Sequence, residues 1–558
     1  MASSAEAIEE RTQRRFALPA ADSIAWLYVL IGSLAVIHLS MMLGRSINWD
    51  EFWGYSQVEQ VARGEFVQPL QTIQTRVFSW WLPQLPGNSI DHILIARGFM
   101  AACLVIASYA IFLSAEKFSD RRTALIAVAA YLGTGFVLQH GTAFRADPIL
   151  AACLASAFAI AARSRFDFKS IVAFGALVGF AAMVSIKVVL WAPAFTGLAL
   201  LRWEEERFAK GYVVRWIGAT AVAAAVFAML YLLHVAGMPT ERATDSAARI
   251  LDNSAGRMFG IANGVQLAMI GKAIFTGLPL FTLALLAPFV VLKSGRTRTR
   301  KLALMAIWSV VLVPIFYHNS YAYFYVFLLP AVAIVSVVAV PVVLRRYGSA
   351  VVLGTIAIAA MLVWAVDPRG VTERQQVLVD GVHETFGEPV AYFDCCGMIA
   401  EFEKANNFRT SWGTETYLAN GIPQMRDAML ERPVPLLLDN KREFGPAIRG
   451  EKTPTILPED AAALRETYVP LWGDIYVAGK RIDSGAITSW NVRVPGTYRA
   501  EGVLRIGGRM IEDGDTISLK RGEIAVSNSS DRPARLVWGE ETNVPPFAPP
   551  NELYWTGF

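Results

Sequence analysis

The sequence predicts a polytopic α-helical membrane protein of about eleven spans, followed by a polar domain that is α/β and then β-sandwich-like. Three observations lead there. The chain has 558 residues, 54% of them hydrophobic, and a mean hydropathy of +0.39, too apolar for a soluble protein of that length. Apolar runs recur up to about residue 366 and then stop. The basic loops between those runs all fall on one side when eleven spans are threaded.

Residues 1–21 form a polar tail carrying Arg11, Arg14 and Arg15. The apolar run behind it lacks an A-x-A cleavage site, so it reads as an uncleaved first helix rather than a signal peptide. Runs able to cross ~30 Å of hydrocarbon lie near 22–44, 92–115, 122–140, 213–236, 267–292, 301–317, 321–344 and 348–366. Three tighter pieces lie at 146–162, 170–186 and 188–201, the last two broken at Ser185, Ile186 and Lys187. Lys117–Arg122, Arg163–Lys169, Arg202–Arg215, Lys293–Lys301 and Arg345-Arg346 then share the side of the N-terminus, which the positive-inside rule makes cytoplasmic. The opposite face holds loop 45–91, loop 140–147, the Lys187 break, loop 237–266, the His318–Tyr321 turn and everything after about 367.

Loop 45–91 is too long to be a mere connector. Tyr55–Ala62 reads as a helix, and Val77–Leu82 includes Trp80-Trp81, so short helices lying on the bilayer surface are expected. Residues 367–486 read as α/β, with strands at Pro389–Asp394 and Pro435–Asp439 and helical material at Met398–Asn406. Residues 487–558 read as short strands: Ser489–Val494, Thr497–Gly502, Val503–Ile511, Thr516–Leu519, Glu523–Ser527 and Ala534–Trp538. A tail with Pro545, Pro546, Pro549 and Pro550 reads as irregular. A net charge of +4 gives no bulk electrostatic case for nucleic acid. Of the four cysteines, Cys103 and Cys153 sit in apolar runs. Cys395-Cys396 reads as two buried thiols rather than a strained vicinal disulfide.

Ionisable groups cluster at the outer boundary. Asp50 and Glu51 follow the first helix, in Ser46-Ile47-Asn48-Trp49-Asp50-Glu51-Phe52. Arg145 and Asp147 open a short helix, Lys187 sits in a helix break, and Arg97 and Lys272 lie near outer helix ends. Arg242 and Arg249 stand in loop 237–266, and His318 and Tyr321 in the next outer turn. Cations at such depth can hold a phosphate at the lipid surface, and carboxylates can take a proton or hold a metal. The plainer readings are snorkelling for Arg97 and Lys272, an interfacial ion pair for Arg145 and Asp147, and an aromatic belt around Tyr321. Lys187 in a break points to a wet cavity, because irregular backbone at membrane depth must line one or be buried.

Taken together, the acidic residue after the first helix, the long first loop, Phe144-Arg145-Ala146-Asp147-Pro148 and the broken-helix lysine resemble the GT-C superfamily. The similarity covers roughly residues 20–366 and is greatest to bacterial relatives of protein O-mannosyltransferases and lipid A aminoarabinose transferases. It implies a glycosyltransferase of the bacterial inner membrane. Such an enzyme moves a sugar from a polyprenyl-phosphate donor to an envelope glycan, lipid A or protein on the periplasmic face. By motif, Asp50 matches the general base or acceptor-positioning acid, Asp147 the second acid, and Lys187 the broken-helix cation. Glu51 is a secondary catalytic candidate. Arg145, Arg97, Lys272, Arg242, Arg249, His318 and Tyr321 are expected around donor phosphate and substrate. No cofactor is required by this reading. A divalent cation is left open, with Asp50 and Asp147 as its holders. Where family members have an H-P-P-like element, this chain reads Gln74-Thr75-Arg76. A flippase for lipid-linked sugars and a non-catalytic assembly protein are the competing readings.

Overall fold

The computed structural model describes residues 24–65, 73–236 and 259–556; Arg242 and Arg249 lie outside the described residues. Each of the eleven apolar runs is helical. Among the described residues, seven helical stretches are long and apolar enough to cross a membrane. An eighth is the pair Gly264–Thr276 and Leu278–Lys293, bent by 99°. The longest stretch, from Phe324, holds two of the expected runs, because Gly348 leaves the helical region at φ 77°. The other two runs appear as Phe168–Val184, which is shorter, and as Arg121–Leu132 plus Gly135–His140, broken in the middle.

The two broken elements meet. A side chain at Gly277 would strike Thr134 at 2.7 Å, and one at Gly135 would strike Thr276. Glycine lets the two breaks nest against each other at membrane depth.

The basic loops share one end of the bundle. Lys117 pairs with Glu205 at 3.2 Å, Arg163 with Glu116 at 2.8 Å and Arg202 with Glu205 at 2.5 Å. Arg300 faces Glu204 at 3.6 Å. Helix Ala146–Arg163 carries Asp147 at one end and Arg163 at the other, so the outer charges lie ~24 Å from this basic end.

The described part of loop 45–91 holds short helices. Trp49–Ala62 is started by a capping box: Asn48 accepts from the Asp50 N–H at 3.0 Å, and Glu51 accepts from the Asn48 N–H at 3.0 Å. Phe52, Tyr55 and Val58 are fully buried beneath it. Ile73–Ser79 follows, then a turn through Trp80 and Trp81.

Helix Val371–Thr385 leads into the polar domain, which contains β1 (Ala391–Phe393), β2 (Glu403–Lys404), β3 (Leu436–Leu438), β4 (Tyr468–Trp472) and β5 (Ile475–Ile482). The later strands are β6 (Ile487–Val492), β7 (Gly496–Glu501), β8 (Leu504–Ile506), β9 (Arg509–Ile511), β10 (Thr516–Leu519), β11 (Gly522–Ser527) and β12 (Ala534–Trp538). One sheet runs β10-β7-β12-β5-β3-β1-β2, with β4 also on β5; the other runs β6-β11-β8-β9. The α/β and β parts therefore share a sheet through β5, which pairs with β3 near its start and β12 near its end.

Met398–Asn406 is not helical. The Asp394 carboxylate accepts the N–H groups of Gly397 and Met398, each at 2.9 Å, which fixes a turn with Gly397 at φ 77°. The chain then continues as β2, parallel to β1.

The tail is irregular but pinned. Tyr554 is fully buried and donates to Asp474 at 2.9 Å, Gln375 donates to the Tyr554 carbonyl at 2.8 Å, and Trp555 donates to the Asn440 carbonyl at 2.6 Å. Trp555 also meets Trp49 edge-on, with ring centroids 6.1 Å apart. The tail thus ties the polar domain to the first outer loop.

Candidate active site

Four of the charges expected on the outer face form one chain. Arg145 donates to Asp50, and its Nε lies 3.6 Å from Asp147. Lys187 donates to Asp147 at 3.0 Å. Elements distant in sequence deliver them. Asp50 sits in the first turn of Trp49–Ala62, and Arg145 is the residue before Ala146–Arg163. Lys187 stands in the 3-10 turn Ile186–Trp191, started by Ser185, which accepts from the Lys187 N–H. The Tyr323 ring lies beneath the Arg145 guanidinium at 3.5 Å and near Lys187 at 5.3 Å.

The two acids differ in access. The Asp147 side chain is 2% exposed, wedged between two cations, whereas that of Asp50 is 23% exposed. Asp50 opens onto a cavity of about 410 Å³ between the membrane part and the polar domain. Its lining includes Trp49, Asn319, Tyr321 and Tyr323 on one side and Cys395, Cys396, Phe408, Arg409, Thr410 and Lys441 on the other. It has apolar ring faces, one carboxylate and several polar tips, which is the chemistry that holds a sugar. Among the described residues the buried Arg145 Nε has no hydrogen-bond partner.

Glu51 and Arg97 make a separate unit. Arg97 binds Glu51 with two parallel bonds, at 2.7 and 2.8 Å. It also donates to the carbonyls of Met42, Arg45 and Ser46 at 2.9 to 3.0 Å, closing the end of the first spanning helix. Glu51 further accepts from the Phe144 N–H at 2.7 Å. Burial by itself raises this carboxyl; Arg97 and the N–H donors outweigh it and hold the group below its ordinary range. Arg97 is 3% exposed and does not snorkel.

Lys272 lies elsewhere. It lines a second cavity of about 710 Å³ with Arg45, Gln139, Asp367, Arg374 and Arg442. Arg45 donates to Asp367, and Arg374 pairs with Glu552 at 2.9 Å, while Lys272 lies 5.7 Å from the Phe136 ring. His318 is bound to the Ile261 carbonyl at 3.1 Å and lines neither cavity. Tyr321 stacks on Tyr323, at 6.1 Å between centroids, and faces the first cavity. At the divergent first-loop element, Arg76 donates to His234 Nδ1 at 2.7 Å, joining that loop to the helix ending at Val235.

As for metal ligands, Asp50 and Asp147 already carry Arg145 and, for Asp147, Lys187. In this arrangement those cations occupy the carboxylate oxygens that a divalent ion would take. The place where carboxylate and thiol ligand atoms converge among the described residues is Asp394, Cys395 and Cys396. Asp394 is fully buried; burial pushes its carboxyl up, but Lys404 at 2.8 Å and the backbone donors hold it below its usual range. Burial and the neighbouring Cys395 push the Cys396 thiol well up, so it is a poor nucleophile.

No family model and no curated protein matches this sequence. Solved structures do match. ArnT from Cupriavidus metallidurans bound to undecaprenyl phosphate aligns over 82% of this chain and 98% of its own, at 13% identity and a TM-score of 0.56. Its apo form aligns over 75% and 93%, at 14% identity and a TM-score of 0.52. The chain shares the fold of these ArnT structures. The Archaeoglobus fulgidus oligosaccharyltransferase, solved with zinc and sulfate, aligns over 90% of this chain and 96% of its own, at 11% identity and a TM-score of 0.50. Of the residues that line the two cavities, the sequence reading did not single out Arg45, Arg409 and Lys441. Arg45 had a signal, since an arginine at an outer helix end runs against the charge rule that fixed the topology.

Proposed function

We propose that the protein is a glycosyltransferase of the bacterial inner membrane. It moves a sugar from a polyprenyl-phosphate donor to a hydroxyl or amine of an envelope glycan, lipid A or protein. Transfer takes place on the periplasmic face. The observation behind this reading is the Asp50–Arg145–Asp147–Lys187 chain, whose Asp50 end lines the interdomain cavity. The GT-C fold, and the undecaprenyl phosphate bound by the Cupriavidus relative, support the donor class.

Asp50 is the general base. It takes the acceptor proton as the acceptor oxygen or nitrogen bonds to the anomeric carbon. The bond from that carbon to the phosphate oxygen breaks, and the phosphate leaves with both electrons. Arg145 and Lys187 exchange carboxylate contacts for phosphate oxygens, which neutralises the leaving group and frees Asp50. Asp147 keeps the two cations placed. Trp49 and Tyr321 offer ring faces to the sugar. Lys272, with Arg45, forms a second cationic station for the lipid phosphate. Glu51 and Arg97 act by positioning loop and helix end, and the carboxylates work without a bridging metal. The test is reconstitution with a polyprenyl-phosphate sugar. An Asp50→Asn protein that transfers at the wild-type rate overturns the proposal, as does sugar-lipid movement across vesicles with no transfer.

A further inference from the structure

Near Asp50, on the opposite wall of the cavity, lies a sulfur cluster that the transfer reaction does not use. Cys395 and Cys396 line the cavity, and Met398 is fully buried. Both cysteine sulfurs and an Asp394 carboxylate oxygen lie within 4.8 Å of one another. The Asn440 amide nitrogen stands 3.8 Å from the Cys396 sulfur and 3.5 Å from the Met398 sulfur, so one donor faces both. The turn is held from within. Asp394 accepts the N–H groups of Cys396, Gly397 and Met398, at 3.2, 2.9 and 2.9 Å.

We propose that Cys395, Cys396 and Met398 form a three-sulfur site for a soft d10 cation, Cu(I). The choice of ion follows from Asp394. Its oxygens are committed to those N–H groups, to Asn440 at 3.1 Å and to the Lys404 ammonium at 2.8 Å. Recruiting it as a ligand would take it from the Lys404 ammonium and from the N–H groups that hold the turn. Zinc and harder ions, which favour nitrogen and oxygen donors or a fourth ligand, gain nothing here. Two thiolates and a thioether match Cu(I). Binding replaces two S–H protons by two S–Cu bonds, adds one thioether bond and releases both protons. The resulting single negative charge lies beside Lys404, and Asn440 donates to the liganded sulfurs as an outer partner. Cys395, at the cavity wall with Cys396 fully buried beside it, is the side from which the ion enters. The site stands independently of the transferase reading.

The experiment uses the full-length protein in detergent, without oxygen, titrated with Cu(I) against a chromogenic Cu(I) chelator. One equivalent is expected, undisturbed by excess Zn(II), with a sulfur-only shell in X-ray absorption. Met398→Leu keeps the buried volume and should bind roughly 100-fold more weakly, at least what loss of an outer partner costs. The Cys395→Ser/Cys396→Ser protein should not bind. An oxygen- or nitrogen-containing shell, displacement by Zn(II), unchanged binding in Met398→Leu, or thiol counting that finds a 395–396 disulfide in the purified protein would overturn the proposal. The wild-type shell decides the question even if the double variant fails to fold.

Discussion

Replacing Arg97 by methionine leaves Glu51 buried without its partner. Five hydrogen bonds disappear at once: two to the carboxylate and three to the carbonyls of Met42, Arg45 and Ser46. Breaking a buried ion pair from one side costs about 3–5 kcal/mol, and the orphaned carbonyls add to it unless water reaches them. Against a total stability of about 5–15 kcal/mol, this is a large loss. It corresponds to a melting-temperature drop of roughly 3–4 °C for a chain of this length. Glu51→Gln strands Arg97 instead and should cost a similar amount. The pair Arg97→Met with Glu51→Leu removes both charges and should cost less than the two single changes added together. The assay is a double-mutant cycle of thermal unfolding in nanodiscs, with transfer activity measured on the folded fraction. Strict additivity, or single changes below about 1 kcal/mol, would refute the strut. So would a fully stable Glu51→Gln protein without activity, which would make Glu51 a catalytic group.

Three further outcomes are expected. Truncation after Pro550 removes the half-buried Trp555 and also Tyr554, whose full burial is worth about 1.5–3 kcal/mol; calorimetry should show a lower melting temperature, and protease should reach the interdomain cavity. Burial, with Asp474 adding to it, raises Asp439 to about 6, above its unfolded range. The folded state then binds more protons, so stability should rise by up to about 3 kcal/mol as pH falls from 7 towards 4, and Asp439→Asn should flatten that slope in urea unfolding. Asp394, held low, loses its contribution only below that window. Lys272→Ala should raise the KM for the lipid donor with little change in kcat, read from initial rates; an unchanged KM would remove the second cationic station from the account.

The helical architecture was legible because apolar runs and basic loops obey physics that does not depend on packing. Asp50, Arg145, Asp147 and Lys187 were legible as charges on one face, yet their order as a chain was not, since it depends on which helix ends meet. Glu51 had a signal that was passed over: Asn48 followed three residues later by Glu51 is a helix-start pattern, and it marked the carboxylate as structural. Met398–Asn406 has helix-forming composition, but Asp394 captures its first N–H groups and converts it to a turn. The tail's prolines announced irregular chain, while Tyr554 and Trp555 within it were the hint that it packs. Arg409 and Lys441 gave no local signal, because only the docking of the polar domain brings them to the cavity.

The central claim is that Asp50 and the cations linked to it carry sugar transfer from a lipid phosphate. Its most direct test is single-turnover transfer by purified protein with a radiolabelled polyprenyl-phosphate sugar, comparing wild type with Asp50→Asn, Asp147→Asn and Lys187→Met at matched folded fraction. The account predicts donor binding retained in Asp50→Asn with turnover reduced roughly 100-fold or more, and donor binding weakened in Lys187→Met. Wild-type turnover in Asp50→Asn, with the protein folded and donor bound, would contradict it.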